Sequence, residues 1–108
     1  MNCPFCEKDG GVVLWRDDFA RVVRAEDRGY PVYRVILNRH VREMTDLVIG
    51  ERDRLMRVVY AVETALRRLQ KPDKVNMASF GNRVAHVHWH IVARYADDPH
   101  HLNPIWDV

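Results

Sequence analysis

The stretch HVHWHIV, residues 86–92, sets His86, His88 and His90 at strictly alternate positions, interleaved with Val87, Trp89 and Ile91. Half of the chain's six histidines fall within five residues. Alternation is the period of a β-strand, in which successive side chains point to opposite faces of the sheet. The pattern therefore demands a sheet with three imidazoles on one face. Val87, Trp89 and Ile91 then turn to a core on the other face. A helix, turning about 100° per residue, would not keep the three histidines together.

The remaining segments supply that sheet. Residues 12–16 (VVLWR) and 19–25 (FARVVRA) are rich in β-branched and aromatic residues, with Asp17 and Asp18 between them, which reads as a hairpin. Residues 26–31 (EDRGYP) read as a loop and 32–38 (VYRVILN) as a more buried strand. A short helical turn is expected within 41–49, with Thr45 or Asp46 capping the long helix after it. From Glu51 to Leu69, Leu55, Val58, Val59, Val62, Leu66 and Leu69 recur at helical spacing, with arginines on much of the other face. Gly50 precedes this helix and Pro72 ends it. Residues 74–80 read as a strand, Gly81–Asn82 as a turn and 85–95 as the histidine strand. Strands joined by short turns, with one long helix, predict an α+β fold with an antiparallel sheet. At 108 residues the chain fits a single domain, 1–108.

Three imidazoles on one strand face admit three readings. They are polar residues on a solvated face, ligands for a metal, or a nucleophile with its supporting groups. A strand histidine pair at i and i+2 can chelate an ion. A catalytic zinc site adds a carboxylate, cysteine or third histidine. No Asp or Glu lies between Asp73 and Asp97, so a carboxylate ligand would have to come from elsewhere in the chain. A neutral imidazole can also attack an electrophile while its neighbours neutralise the developing charge.

The His-apolar-His-apolar-His-apolar-apolar pattern resembles the signature of the histidine-triad (HIT) family of nucleotide hydrolases and transferases. The resemblance runs through KVNMASFGNRVAHVHWHIVARYADDPHHLNPIW and takes in CPFC and RVILNRHVREMTDL. It points to a bacterial subgroup similar to diadenosine polyphosphate hydrolases. It implies a five-stranded antiparallel sheet with one long and one short helix, and a homodimer in which two sheets join. It also implies attack at the α-phosphate of nucleoside phosphoramidates or dinucleoside polyphosphates, through a nucleotidyl-histidine intermediate and without a metal in the chemistry. On this resemblance His88 is the nucleophile. His90 donates to a phosphate oxygen or the leaving group, His86 orients the nucleophile or holds the local structure, and Asn76 supports the site from the preceding strand. Asn82 and Arg83 stand where many relatives carry Gln and a hydroxyl residue. Asn82 can still donate to phosphate. Arg83 either binds a distal phosphate or faces solvent. Glu26 and Asp27 are the candidates for a ribose contact, and Ile36 helps floor a base pocket for a purine nucleotide. Trp106 either anchors the tail on its own domain or reaches a partner's site. The alternative function is a nucleotide- or metal-binding regulatory protein with little turnover.

Cys3 and Cys6 form a Cys-x-x-Cys pair, readable as a redox dithiol, a zinc half-site or an empty reduced pair. A thioredoxin-like dithiol follows a strand, and nothing strand-like precedes Cys3. The resemblance completes a structural zinc set with His40 and His86. His100 and His101 are expected to be exposed. A net charge of +2 with scattered arginines gives no strong field for nucleic acid or a membrane surface. No apolar run approaches the roughly 20 residues of a membrane span. The N-terminus lacks the pattern of a signal peptide, and two cysteines without an export signal suggest the reducing cytoplasm.

Overall fold

The computed structural model describes residues 2–108. A one-turn helix, α1 (Pro4–Glu7), precedes strands β1 (Val12–Arg16), β2 (Ala20–Asp27) and β3 (Tyr30–Leu37). The long helix α2 (Ile49–Gln70) follows, then β4 (Lys74–Ala78) and β5 (His88–Arg94). The strands form one sheet in the order β1-β2-β3-β5-β4, with every neighbouring pair antiparallel. This is the expected α+β architecture, with one long helix and short helical turns.

The sheet separates two cores by the two-residue period. Ala20, Val22, Val35, Leu37 and Ile91 turn to α2 and meet its buried Leu55, Val59 and Leu66. Each of the valine, leucine and isoleucine side chains, once buried, contributes about 1.5–3 kcal/mol. Val23 and Ile36 turn the other way and pack with Cys3 and Phe5 of the N-terminal segment. The histidines belong to this second face. β5 lies between β3 and β4, so its residues are the most thoroughly flanked in the sheet's second half.

Several local expectations are corrected. Residues 26–31 are a tight hairpin turn rather than a loop: Glu26 pairs with Pro31 and Asp27 with Tyr30. Arg28 and Gly29 take φ of 51° and 83°, the left-handed pair that matches the twist of flanking strands. The long helix starts at Ile49, with Gly50 inside its first turn. Neither Thr45 nor Asp46 caps it. Glu51 reaches back to accept from the Val48 N–H at 3.2 Å, while Asp46 accepts from the Glu43 N–H of a separate 3-10 turn, Met44–Asp46. Leu69 is 79% exposed and does not join the core. The helix stops in a left-handed Lys71 (φ 48°) just before Pro72. β4 ends at Ala78, and the histidine strand is shorter than 85–95 because it begins at His88.

Candidate functional site

His86 therefore lies just outside the histidine strand, yet the alternation persists. The Val87 N–H donates to the Val41 carbonyl (2.7 Å), and the Leu37 N–H donates to the Val87 carbonyl (3.3 Å). These bonds extend the extended path by two residues, so Val87 enters the helix-side core and His86 turns away from it. Across β3, Ile36 pairs with His88 and Arg34 with His90. The His88 and His90 rings meet nearly perpendicularly, 4.8 Å between centroids. Phe5 approaches His88 edge-on at the same separation.

The protonation of His88 follows from its hydrogen bond. Its Nδ1 lies 2.6 Å from the His86 backbone carbonyl, which can only accept. Nδ1 therefore carries the proton and Nε2 keeps its lone pair. The Ser79 hydroxyl donates to the His88 carbonyl at 2.7 Å and pins that stretch of backbone. Burial lowers the His88 pKa, and the Arg34 guanidinium adds to the effect. His90 is pushed down to about 4, first by burial and then by His88 and Arg34. Both rings are neutral at neutral pH, and His88 presents an unprotonated Nε2.

His88 and His90 open onto a cavity of about 420 Å³. Glu26, Asp27, Asn82 and Arg83 line the same cavity, so the structure brings six of the expected residues together. Asp27 is paired with Arg28 at 3.1 Å. Ile36 is fully buried beneath Phe5 and does not reach the cavity lining. Asn76 is not in that lining; on β4 it pairs with Val92 of β5, and its Oδ1 accepts from Arg94 at 3.2 Å. Among the residues that sequence reasoning missed, Phe5, Arg28, Arg34, Phe80 and Val84 also line the cavity. Arg34 left a trace in the sequence, being a charge on the inward phase of an otherwise apolar strand. Trp106 packs on its own domain, 5.4 Å from His90 and 5.0 Å from Phe80, and closes one side of the cavity. His100 and His101 are exposed, as expected.

Two buried arginines hold the cavity's borders. Arg21 donates to the carbonyls of Phe5 (2.7 Å), Lys8 (3.2 Å) and Asp9 (2.9 Å), tying the N-terminal segment to the sheet. Arg94 donates to Asp98 (2.9 Å) and to the carbonyls of His100 (2.8 Å) and Asn103 (2.6 Å). The tail thereby folds into an ordered turn that delivers Trp106 to His90.

His86 serves a second cluster. Its Nε2 lies 2.7 Å from the Leu37 carbonyl and so carries the proton, leaving Nδ1 as a lone pair. That Nδ1 lies 3.3 Å from Cys3 Sγ, 3.5 Å from Cys6 Sγ and 3.3 Å from His40 Nδ1. Cys6 Sγ and His40 Nδ1 are 3.4 Å apart. Ligands at zinc bond lengths on a tetrahedron stand about 3.3–3.8 Å apart, so these two thiols and two ring nitrogens fit zinc. The four donor atoms all lie within 4.8 Å of one another. The same geometry separates His86 from His88 as joint ligands, since their Nδ1 atoms are committed to different partners.

A family model described as the HIT domain matches residues 7–97. Among solved structures, a histidine triad protein from Bradyrhizobium japonicum is 30% identical with a TM-score of 0.84, covering 94% of this chain and 77% of that one. A histidine triad protein from Marinobacter aquaeolei is 27% identical, with a TM-score of 0.77 and coverage of 84% and 67%. A Zn-bound histidine triad family protein from Mycobacterium smegmatis shares the fold at 23% identity and a TM-score of 0.71, covering 92% and 79%. No curated protein matches the chain.

Proposed function

The chain belongs to the histidine-triad (HIT) family, and from that premise we propose that it is a nucleotide hydrolase or nucleotidyl transferase acting at the α-phosphate through His88. Membership supports a nucleotide-directed function in general terms. The observation that carries the finer reading is the 2.6 Å bond from His88 Nδ1 to the His86 carbonyl, which frees Nε2 beside a cavity lined with phosphate-compatible donors.

In this mechanism Nε2 forms a bond to the α-phosphorus as the bond to the leaving group breaks. The leaving amine or phosphate departs with the electron pair and takes a proton from solvent. The imidazolium character of the nucleotidyl-histidine is shared with the His86 carbonyl. His90, held neutral, donates one hydrogen bond to the phosphate or leaving atom. Water then adds to the phosphorus and loses a proton, the P–N bond breaks, and a nucleoside monophosphate leaves with neutral His88 restored. Asn82 and Arg83 bind phosphate oxygens, and Glu26 and Asp27 receive ribose hydroxyls. The substrate is a purine nucleoside phosphoramidate or dinucleoside polyphosphate.

Cys3, Cys6, His40 and His86 would hold a structural zinc ion, which cross-links the N-terminal segment to the sheet and takes no part in the chemistry. The homodimer joins two sheets edge to edge; β1 and β4, the outer strands, lack an outer partner among the described residues. No helix among the described residues is long and apolar enough to cross a membrane. The site of action is the cytoplasm, where the cysteine pair stays reduced.

The test is nucleoside monophosphate release from an adenosine phosphoramidate, a diadenosine polyphosphate and a sugar nucleotide, by wild type and His88→Ala, with and without chelator. Release that needs His88 and survives chelation supports the mechanism. Equal release by His88→Ala overturns it.

A further inference from the structure

We propose that Phe80 is a specificity-determining residue on which the leaving half of the substrate stacks a base. Substrates whose leaving group carries a base are thereby selected over those whose leaving group has none. The proposal rests on the nucleotide reading of this site and deepens it, by choosing dinucleoside polyphosphates as the substrate class. Phe80 follows the end of β4 and borders the cavity while 57% exposed. Its ring centre lies 5.0 Å from that of Trp106, with the planes at 73°, and 6.2 Å from that of His90. The two rings meet at an angle rather than stacking, so ring surface of Phe80 stays open to a ligand. A lone exposed aromatic ring carries no meaning. This one borders the cavity beside a second aromatic ring and beside His90, the imidazole that serves the leaving group.

The sheet order separates the two ends of the cavity. Glu26 and Asp27, the ribose contacts, end β2 on the β3 side of β5. Phe80 and Trp106 lie on its β4 side, and His88 and His90 stand between the two ends. A nucleoside held at the β2 end presents its α-phosphate to His88, and the leaving group continues toward β4. The cavity of about 420 Å³ is in the lower part of the range for ligand pockets and suits one nucleotide rather than two. A groove of about 460 Å³ adjoins it along β4, lined by Lys74 and Asn76, and Phe80 and Trp106 border both spaces. The second half of a dinucleotide has room there, whereas the amine of a simple phosphoramidate reaches none of it. Arg83, in the same loop as Phe80, supplies a cation for the intervening phosphates.

Aromatic stacking suits this position because every base has a π-face, and it asks for no hydrogen-bond match. With a dinucleoside tetraphosphate, His88 bonds to the α-phosphorus as the P–O bond breaks. The nucleoside triphosphate leaves with the electron pair, and water then releases the monophosphate from His88. The net reaction consumes one water and yields one triphosphate and one monophosphate.

The test compares kcat/KM of the full chain for diadenosine tetraphosphate, adenosine 5′-tetraphosphate and adenosine 5′-phosphoramidate. Only the first has a base in its leaving group, and the second keeps the same phosphate chain. Wild type, Phe80→Ala and Phe80→Tyr are measured, with AMP as a competitive inhibitor and thermal melts to verify folding. Wild type is expected to favour diadenosine tetraphosphate over adenosine 5′-tetraphosphate by about tenfold. Phe80→Ala abolishes that ratio and Phe80→Tyr restores it. If the alanine variant does not fold, Phe80→Leu, which keeps apolar bulk without a π-face, carries the comparison. Equal kcat/KM for the two tetraphosphates in wild type overturns the proposal and leaves the nucleotide reading standing, as does turnover of the phosphoramidate alone. A ratio that survives the loss of the ring also overturns it. So does a variant that weakens AMP inhibition as much as it slows diadenosine tetraphosphate, which places the ring at the retained nucleoside. Release of AMP from none of the three removes the nucleotide reading and this proposal together.

Discussion

The His88 imidazole is tied to the backbone of His86: Nδ1 donates to the His86 carbonyl across 2.6 Å, while the His86 side chain faces the cysteines. One residue thus sets the tautomer of His88 with its main chain and meets the N-terminal cysteines with its ring. Nitrogen-detected NMR should find His88 protonated at Nδ1 and bare at Nε2 at neutral pH. His88→Ala is expected to abolish turnover and to leave nucleotide affinity within about a few-fold, because the removed group acts on the transition state. His90→Ala should slow the reaction by roughly 10²–10³, the usual effect of losing one charge-stabilising donor.

The depressed His90 pKa ties stability to pH. The folded value is about 4 against 6.5 for the unconstrained group. The unfolded chain takes up this proton first as pH falls. The stabilising contribution is complete above about 6.5 and drains away between there and about 4, with a full magnitude on the order of 3 kcal/mol. Thermal melts at pH 7.5 and pH 4.5 should show a lower Tm at the acidic value. His90→Phe should reduce that difference; an undiminished pH effect in the variant would assign it to other groups.

Arg94 is almost completely buried and holds the tail through Asp98 and two carbonyls. Arg94→Met leaves these acceptors without their donor. Tm is expected to fall by more than about 5 °C. Hydrogen exchange over residues 96–107 should rise above that of the rest of the chain. Since this tail carries Trp106 to His90, nucleotide affinity should weaken as well. Exchange that rises uniformly would argue against a local anchoring role.

Metal analysis of chain purified without chelator should return about one zinc per protomer, held by Cys3, Cys6, His40 and His86. Cys6→Ser should lower both zinc content and Tm. Removing zinc from wild type should lower Tm while His88-dependent turnover persists at a temperature where the apo chain remains folded. Zinc-free wild type with an unchanged Tm would mark the cysteine pair as empty.

The antiparallel sheet, the long helix and the single face shared by three histidines were legible in the chain alone, because periodicity follows from local backbone geometry. A two-residue alternation has one meaning in a strand, and Leu55, Val59 and Leu66 have one meaning at helical spacing. What pairs with what was not legible. Arg21, Arg34 and Arg94 look alike in sequence as charges within apolar strands, yet the fold makes the first a clamp on the N-terminal segment, the second a cavity wall and the third a tail anchor. Trp106 marked the tail as an anchor or a site contact, but which of these it is, and that the tail walls the cavity beside His90, was not legible, because its order comes from one buried guanidinium rather than from a repeat. The 3.3 Å approach of Cys3 to His86 spans 83 positions. Local sequence fixes which way a side chain points. Only the closed chain, through β3 pairing with β5 and α1 folding back over that face, decides which partner it meets.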